Sequence, residues 1–140
     1  MKKFICTLFT ILIVTTAQTD STQIKIESAV QNIIELSKNR DFVGACDFIA
    51  YTGVEESRKF NDKLNSKVSR EVESAERILK KIKAYLDISD SYELGNIKTK
   101  SKKDHEFEVA DIIFKSGKQT LKIEFEFIKV NKKYLLAAIE

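Results

Sequence analysis

The 140-residue chain has no tryptophan and no proline, one histidine, four glycines and two cysteines. Each shortage closes off some chemistry. One histidine, His105, excludes the usual multi-histidine metal sites. A Ser-His-Asp triad would have to use it, and the chain contains no G-x-S-x-G nucleophile elbow. The glycines build no phosphate loop, because Gly117-Lys118 lacks both the upstream glycine and the following serine or threonine. A spanning helix needs about 20 apolar residues, and the longest uncharged, mostly apolar stretch is the eleven residues from Phe4 to Val14.

That stretch follows Lys2-Lys3 and is followed by Thr15-Thr16-Ala17. A positive start, a short apolar core and a small-residue exit read as an export signal over residues 1–17, removed after Ala17. Gln18, Asp20 and Ser21 come at once behind the apolar core, which argues against a retained anchor. Cys6 lies inside that core and not at its exit, which argues against acylation. The expected product is one domain over residues 18–140, periplasmic or secreted, with no stable membrane anchor.

Cleavage leaves 123 of the 140 residues and, with Lys2 and Lys3 gone, lowers the formal charge from +3 to +1. A chain of that length is enough for one real hydrophobic core. Cys46 becomes the only cysteine, so the domain has no intrachain disulfide and relies on packing. Set between Ala45 and Phe48 in an apolar pattern, Cys46 reads as a buried small hydrophobe and not a nucleophile. Lysines interleave with acids over most of the chain, the pattern of a solvated surface. Lys98, Lys100, Lys102 and Lys103 come nearest to a basic patch, but their Ser/Thr-rich setting closed by Asp104 reads as an exposed loop. No nucleic-acid partner is expected.

Helical spacing of Ile26, Val30, Ile33 and Ser37, widened by Ile34, predicts a helix over about Ser21–Lys38. Phe42, Ala45, Cys46 and Ile49 predict a short second helix, with Asp41 as N-cap and Gly53 as C-terminal stop. A third helical stripe runs Phe60, Leu64, Val68, Val72, Ala75, Leu79, Ile82, Leu86. Asn65-Ser66 is its weak point, since both residues are poor helix formers. From Ser89 the period changes. Tyr92, Leu94 and Ile97 predict a strand with Gly95 as a bulge or bend. In the next strand Phe107 and Val109 alternate with acids, then the apolar phase slips to Ile112 and Phe114, which a β-bulge at Ala110-Asp111 would explain. Leu121, Ile123, Phe125 and Phe127 predict a strand buried on one face, after a turn at Ser116-Gly117-Lys118. A turn at Asn131-Lys132-Lys133 leads to a last strand, Tyr134–Ile139, whose run of Leu135, Leu136, Ala137 and Ala138 suggests cover on both faces. Helices first and then three to four antiparallel strands indicate an α+β fold, helices packed on one face of a curved sheet.

The closing stretch Phe125-Glu126-Phe127-Ile128-Lys129-Val130-Asn131-Lys132-Lys133-Tyr134-Leu135-Leu136 resembles the last hairpin of the nuclear transport factor 2-like superfamily, the cystatin-like α+β cone. Ile49-Ala50-Tyr51-Thr52-Gly53 and Glu56-Ser57-Arg58-Lys59-Phe60 are similar to stretches in small exported bacterial proteins of that type. The resemblance implies a curved sheet wrapped round a long helix. It also implies either an enzyme of the ketosteroid isomerase or SnoaL-like cyclase kind or an exported binding module. The enzymes set a carboxylate, often with a tyrosine or histidine, in the mouth of the cone, where an apolar pocket shifts its pKa.

On that resemblance the candidates are Asp111, Tyr51, Tyr134 and His105. If the strand keeps its phase from Phe107, Asp111 points inward; if it bulges, Asp111 is the unpaired residue and faces solvent. His105, between Asp104 and Glu106, reads as exposed, and Tyr134 as a core aromatic with its hydroxyl at the rim. The reading favoured is a non-catalytic module binding a small apolar ligand, a peptide or an envelope protein through Tyr51, Asp111 and Tyr134, with no metal or cofactor. The alternative is an isomerase- or hydrolase-like enzyme with Asp111 as base. A cystatin-like protease inhibitor ranks third, because Gln-x-Val-x-Gly is absent and, with no proline or tryptophan, so is a Pro-Trp hairpin. Lys122, Glu124 and Glu126 on one strand face argue for a monomer or a weak polar dimer.

Overall fold

The computed structural model describes the chain from Thr15 to Glu140, with side chains from Ser21 onward. The apolar core of the expected export signal lies outside the described residues, and its expected cleavage point after Ala17 falls within the first turn of α1. Helix α1 runs Thr15–Asn39. Its buried stripe is Ile26, Ala29, Val30, Ile33, Ile34 and Ser37, as the spacing predicts. The Ser37 hydroxyl is satisfied by donating to the Ile33 carbonyl at 2.7 Å. The helix ends in a Schellman pair: Asp41 N–H donates to Leu36 O at 3.0 Å and Arg40 N–H to Ser37 O at 3.3 Å, with Arg40 at φ 55°.

Asp41 then caps α2 (Phe42–Ala45), accepting from Gly44 N–H at 2.8 Å. A single 3₁₀ turn, Cys46–Phe48, follows. Here the chain turns extended well before Gly53. Ile49 bridges Leu136 in parallel, Ala50 bridges Lys63, and Leu64 N–H donates back to Ile49 O at 2.9 Å. The segment 49–64 is thus a closed loop and not the opening of a third helix. Phe60 sits at φ 60°, so its helical spacing from Leu64 is coincidental. Helix α3 covers only Ser69–Asp87. The break is local chemistry: Asn65 Oδ1 accepts from Lys67 N–H at 3.0 Å, an Asx turn that competes with helix.

Strands β1 (Ser91–Lys102), β2 (His105–Ser116), β3 (Gln119–Val130) and β4 (Lys133–Ile139) form one antiparallel sheet in the order β1-β2-β3-β4. The fold is therefore α+β, helices followed by a four-stranded meander. Two-residue turns join the strands. Gly117 supplies φ 57° between β2 and β3, and Asn131 and Lys132 supply φ 48° and 68° between β3 and β4.

The expected bulge in β2 is absent. β2 pairs with β3 residue for residue from Phe107↔Ile128 to Ser116↔Gln119. Its apolar phase changes because its two halves are covered on opposite faces. Ala110, Ile112 and Phe114 point to the helices, in the core with Leu79, Ile82, Phe125, Phe127 and Leu136. Phe107 and Val109 point the other way, packed with Ile128, Val130, Leu135 and Ala50, with Phe60 of the loop over them. A strand needs no extra residue when its cover changes sides. The irregularities lie elsewhere: between β3 and β4 at Glu126/Phe127, and as a bulge in β1, where pairing shifts between Leu94 and Ile97 opposite Asp111. Gly95 belongs to it: an added Cβ would stand 3.2 Å from Asp111 Cβ and 3.3 Å from Asp111 O. Leu135 and Leu136 are buried on opposite faces, so β4 is covered on both.

Candidate functional site

Asp111 keeps the phase of Phe107 and Val109, which places it on the face away from the helices. It is 8% exposed, buried in the sheet beneath charged neighbours instead of in an apolar cone. Lys122 Nζ stands 3.5 Å from Asp111 Oδ2, while Oδ1 is buried with no hydrogen-bond partner among the described residues.

Around Asp111 runs a ladder of charge that the sequence reading missed. Lys98, Lys100 and Lys102 lie on strand β1, not in a loop. Lys98 Nζ donates to Glu124 Oε1 at 2.6 Å across the intervening strand. Lys102 Nζ donates to both oxygens of Glu126 at 2.6 and 2.8 Å, and Lys100 to the same carboxylate at 3.4 Å. Glu126 is only 2% exposed, a buried carboxylate that survives because it is paired. The Lys98 hydrogen bond holds the Glu124 carboxyl below its ordinary range, and the carboxylates hold the Lys98 and Lys102 ammonium groups above theirs. Matching alternation, Lys98-x-Lys100-x-Lys102 against Lys122-x-Glu124-x-Glu126, was the signal available in the sequence.

Tyr51 is a clamp in the 49–64 loop. The Arg58 guanidinium lies 4.1 Å from its ring centroid. Arg58 also makes a two-pronged pair with Glu71 on the first turn of α3, at 2.8 and 3.0 Å, and reaches Asp62 at 3.1 Å. Glu71 additionally accepts from Asn65 N–H at 2.6 Å. The Arg58 hydrogen bond, opposed by burial, holds the Glu71 carboxyl below its ordinary range.

Tyr134 shares the helix-facing side of β4 with Leu136, away from Asp111. It forms part of the wall of an open depression of about 950 Å³ at the turn end of the sheet, with Thr22 and Gln23 of α1, Ile97, Thr99 and Glu108. Asp104, Glu106 and His105 extend its polar lining. His105 is half-buried, not exposed, its ring edge-on to Phe60 at 5.1 Å. Asp111 and Tyr134 therefore occupy opposite faces of the sheet, and the Tyr51 ring is covered by Arg58. Among the described residues no three His, Cys, Asp or Glu side chains are arranged to hold a metal. No helix of the described residues is long and apolar enough to cross a membrane. No protein-family model, curated protein or solved structure matches the chain.

Proposed function

We propose that this chain is an exported, non-catalytic binding module that engages a polypeptide partner at the turn end of its sheet. The observation that carries the reading is the placement of Tyr134: a half-buried tyrosine facing an open, mixed polar and apolar depression, on the opposite face of the sheet from Asp111. A phenol at the wall of such a depression offers apolar area and one hydrogen bond, the combination enriched in recognition surfaces. The interior between helices and sheet is filled by Phe114, Phe125, Phe127, Ile112 and Leu79, all at most 1% exposed. That packing favours a surface partner over an enclosed apolar ligand. The nuclear transport factor 2-like kinship belongs to this proposal, supported by the helices-first order and the bulged long strand. So does export, supported by the residue order of positions 1–17.

The enzyme reading gains nothing from the geometry, since Asp111 is flanked by Lys122 and Glu124 and faces away from Tyr134. The test is photocrosslinking in the producing cell with Tyr134 replaced by p-benzoylphenylalanine. A discrete polypeptide adduct, abolished by Thr99→Arg, is the expected result. Adducts to small molecules alone, or none, would count against the proposal. N-terminal mass determination tests export, with Gln18 expected as first residue.

A further inference from the structure

On the other side of Tyr134 lies a second groove, of about 400 Å³. One wall is a line along α1, Ile24, Ser28 and Asn32, at one-turn spacing. Ser28 and Ala29 are small, which opens depth in the middle of that wall. Phe48 supplies apolar lining, and Ile24 is 65% exposed, an isoleucine left uncovered at the groove.

The unpaired charges lining the groove are cationic among the described residues. Lys25 comes from α1, and Lys132 and Lys133 from the β3–β4 turn. None of the three has an ion-pair partner among the described residues, whereas Lys98, Lys100, Lys102 and Lys122 are all engaged by carboxylates. Asp47, the one acid lining the groove, is paired with Lys63. Lys132 moreover stands at φ 68°, at a turn position where glycine is the unstrained choice. Three uncompensated cations from two elements around an uncovered apolar lining are complementary to acid flanking a hydrophobic side chain. The apolar lining lies in a groove between helix and turn, a shape suited to an inserted side chain.

We propose that this groove is a docking site for an acidic peptide segment anchored by one bulky apolar side chain. It is distinct from the depression proposed above and shares only the Tyr134 wall with it. The test is selection of random peptides displayed on phage against the full chain. Affinities of the selected peptides are then measured by fluorescence polarisation against the original protein, the double variant Lys132→Glu/Lys133→Glu, and Ile24→Asp. All three positions line the surface, and unchanged thermal melts confirm folding. Expected are peptides rich in Asp and Glu around a Leu, Phe, Tyr or Trp. Their affinity should fall at least about tenfold in each variant, and fall further as salt rises from about 0.05 to about 0.5 M. Neutral or basic peptides, no selected peptide, or affinities indifferent to both variants would overturn the proposal. Binding lost in Thr99→Arg but kept in the groove variants would overturn it while leaving the Tyr134 depression standing. Vesicles containing about one-third phosphatidylglycerol are the control. Vesicle binding that is lost in Lys132→Glu/Lys133→Glu, without any peptide binding, would replace the peptide with a membrane surface and so refute it.

Discussion

Replacing Arg58 by methionine tests how the 49–68 segment is held. The guanidinium makes two hydrogen bonds to Glu71, one to Asp62, and covers the Tyr51 ring. Methionine keeps the contact with the ring and removes every charged bond. What remains is a Glu71 carboxylate with a side chain 10% exposed and only Asn65 N–H as partner. Stranding one member of a fully buried pair costs about 3–5 kcal/mol. The Arg58 side chain is 23% exposed, so water recovers part of this, and the expected loss is about 2–4 kcal/mol. For a domain of this size that lowers Tm by roughly 6–15 °C.

The companion is the double variant Arg58→Met/Glu71→Leu, which removes the stranded charge as well. It is expected to regain most of the loss, because a buried pair and its apolar replacement differ little in net stability. The sign with pH is fixed by Glu71. Its folded-state pKa lies below the ordinary 4.5. Its contribution is therefore complete above that ordinary value and disappears as pH falls through the lower folded value. In Arg58→Met the same carboxyl is buried without its cation and is better neutral, so the gap between the two proteins narrows on acidification. Urea unfolding from neutral pH down to about pH 4 measures this. A loss under about 1 kcal/mol, a double variant no more stable than the single, or a gap that widens in acid would refute the clamp.

Arg40→Gly is expected to raise stability by about 0.5–1 kcal/mol in thermal unfolding, since a side chain now sits in the left-handed Schellman position at φ 55°. Gly95→Ala should cost about 1 kcal/mol in urea titration, because its Cβ would press within 3.1–3.3 Å of Ile113 and Asp111 at the bulge; an unchanged midpoint would show that the bulge opens freely. Cys46 is buried and its thiol donates to Phe42 O at 3.5 Å, and burial together with Asp47 pushes it above its ordinary pKa. Native protein should therefore resist iodoacetamide at neutral pH and react only on unfolding, and rapid native labelling would contradict that.

Much of the fold was legible because its determinants are local. The Asp41 cap, the Asn65 break, and the turns at Gly117 and Asn131 each follow from one or two residues whose backbone preferences hold wherever they are placed. The misreadings have a shared cause. Phe60 and Leu64 fall at helical spacing, but their cover comes from Phe107 and from the main core through a loop tied to Ile49, Tyr51 and Leu136. The β2 phase slip resembled a bulge because one strand carries two half-cores on opposite faces. The candidate site was less legible still. Tyr51, Asp111 and Tyr134 are each well defined as residues, yet whether they meet depends on which face each strand turns to the helices. The buried Glu126 escaped notice because its lysines are 24 and 26 residues away in sequence.

The sequence by itself determined the α+β order, the strand alternation, the caps and turns, and a nearly balanced charge. These are set by short-range sterics, periodicity and composition. Only the tertiary structure decided that Asp111 and Tyr134 lie on opposite faces, that Lys98, Lys100 and Lys102 of β1 are taken up by β3 carboxylates, and that Lys25, Lys132 and Lys133 have no ion-pair partner among the described residues around a partly apolar groove. Those outcomes depend on which charges become neighbours once the chain has closed on itself, and Coulomb and hydrogen-bond energies act over ångströms of space instead of over distance along the chain.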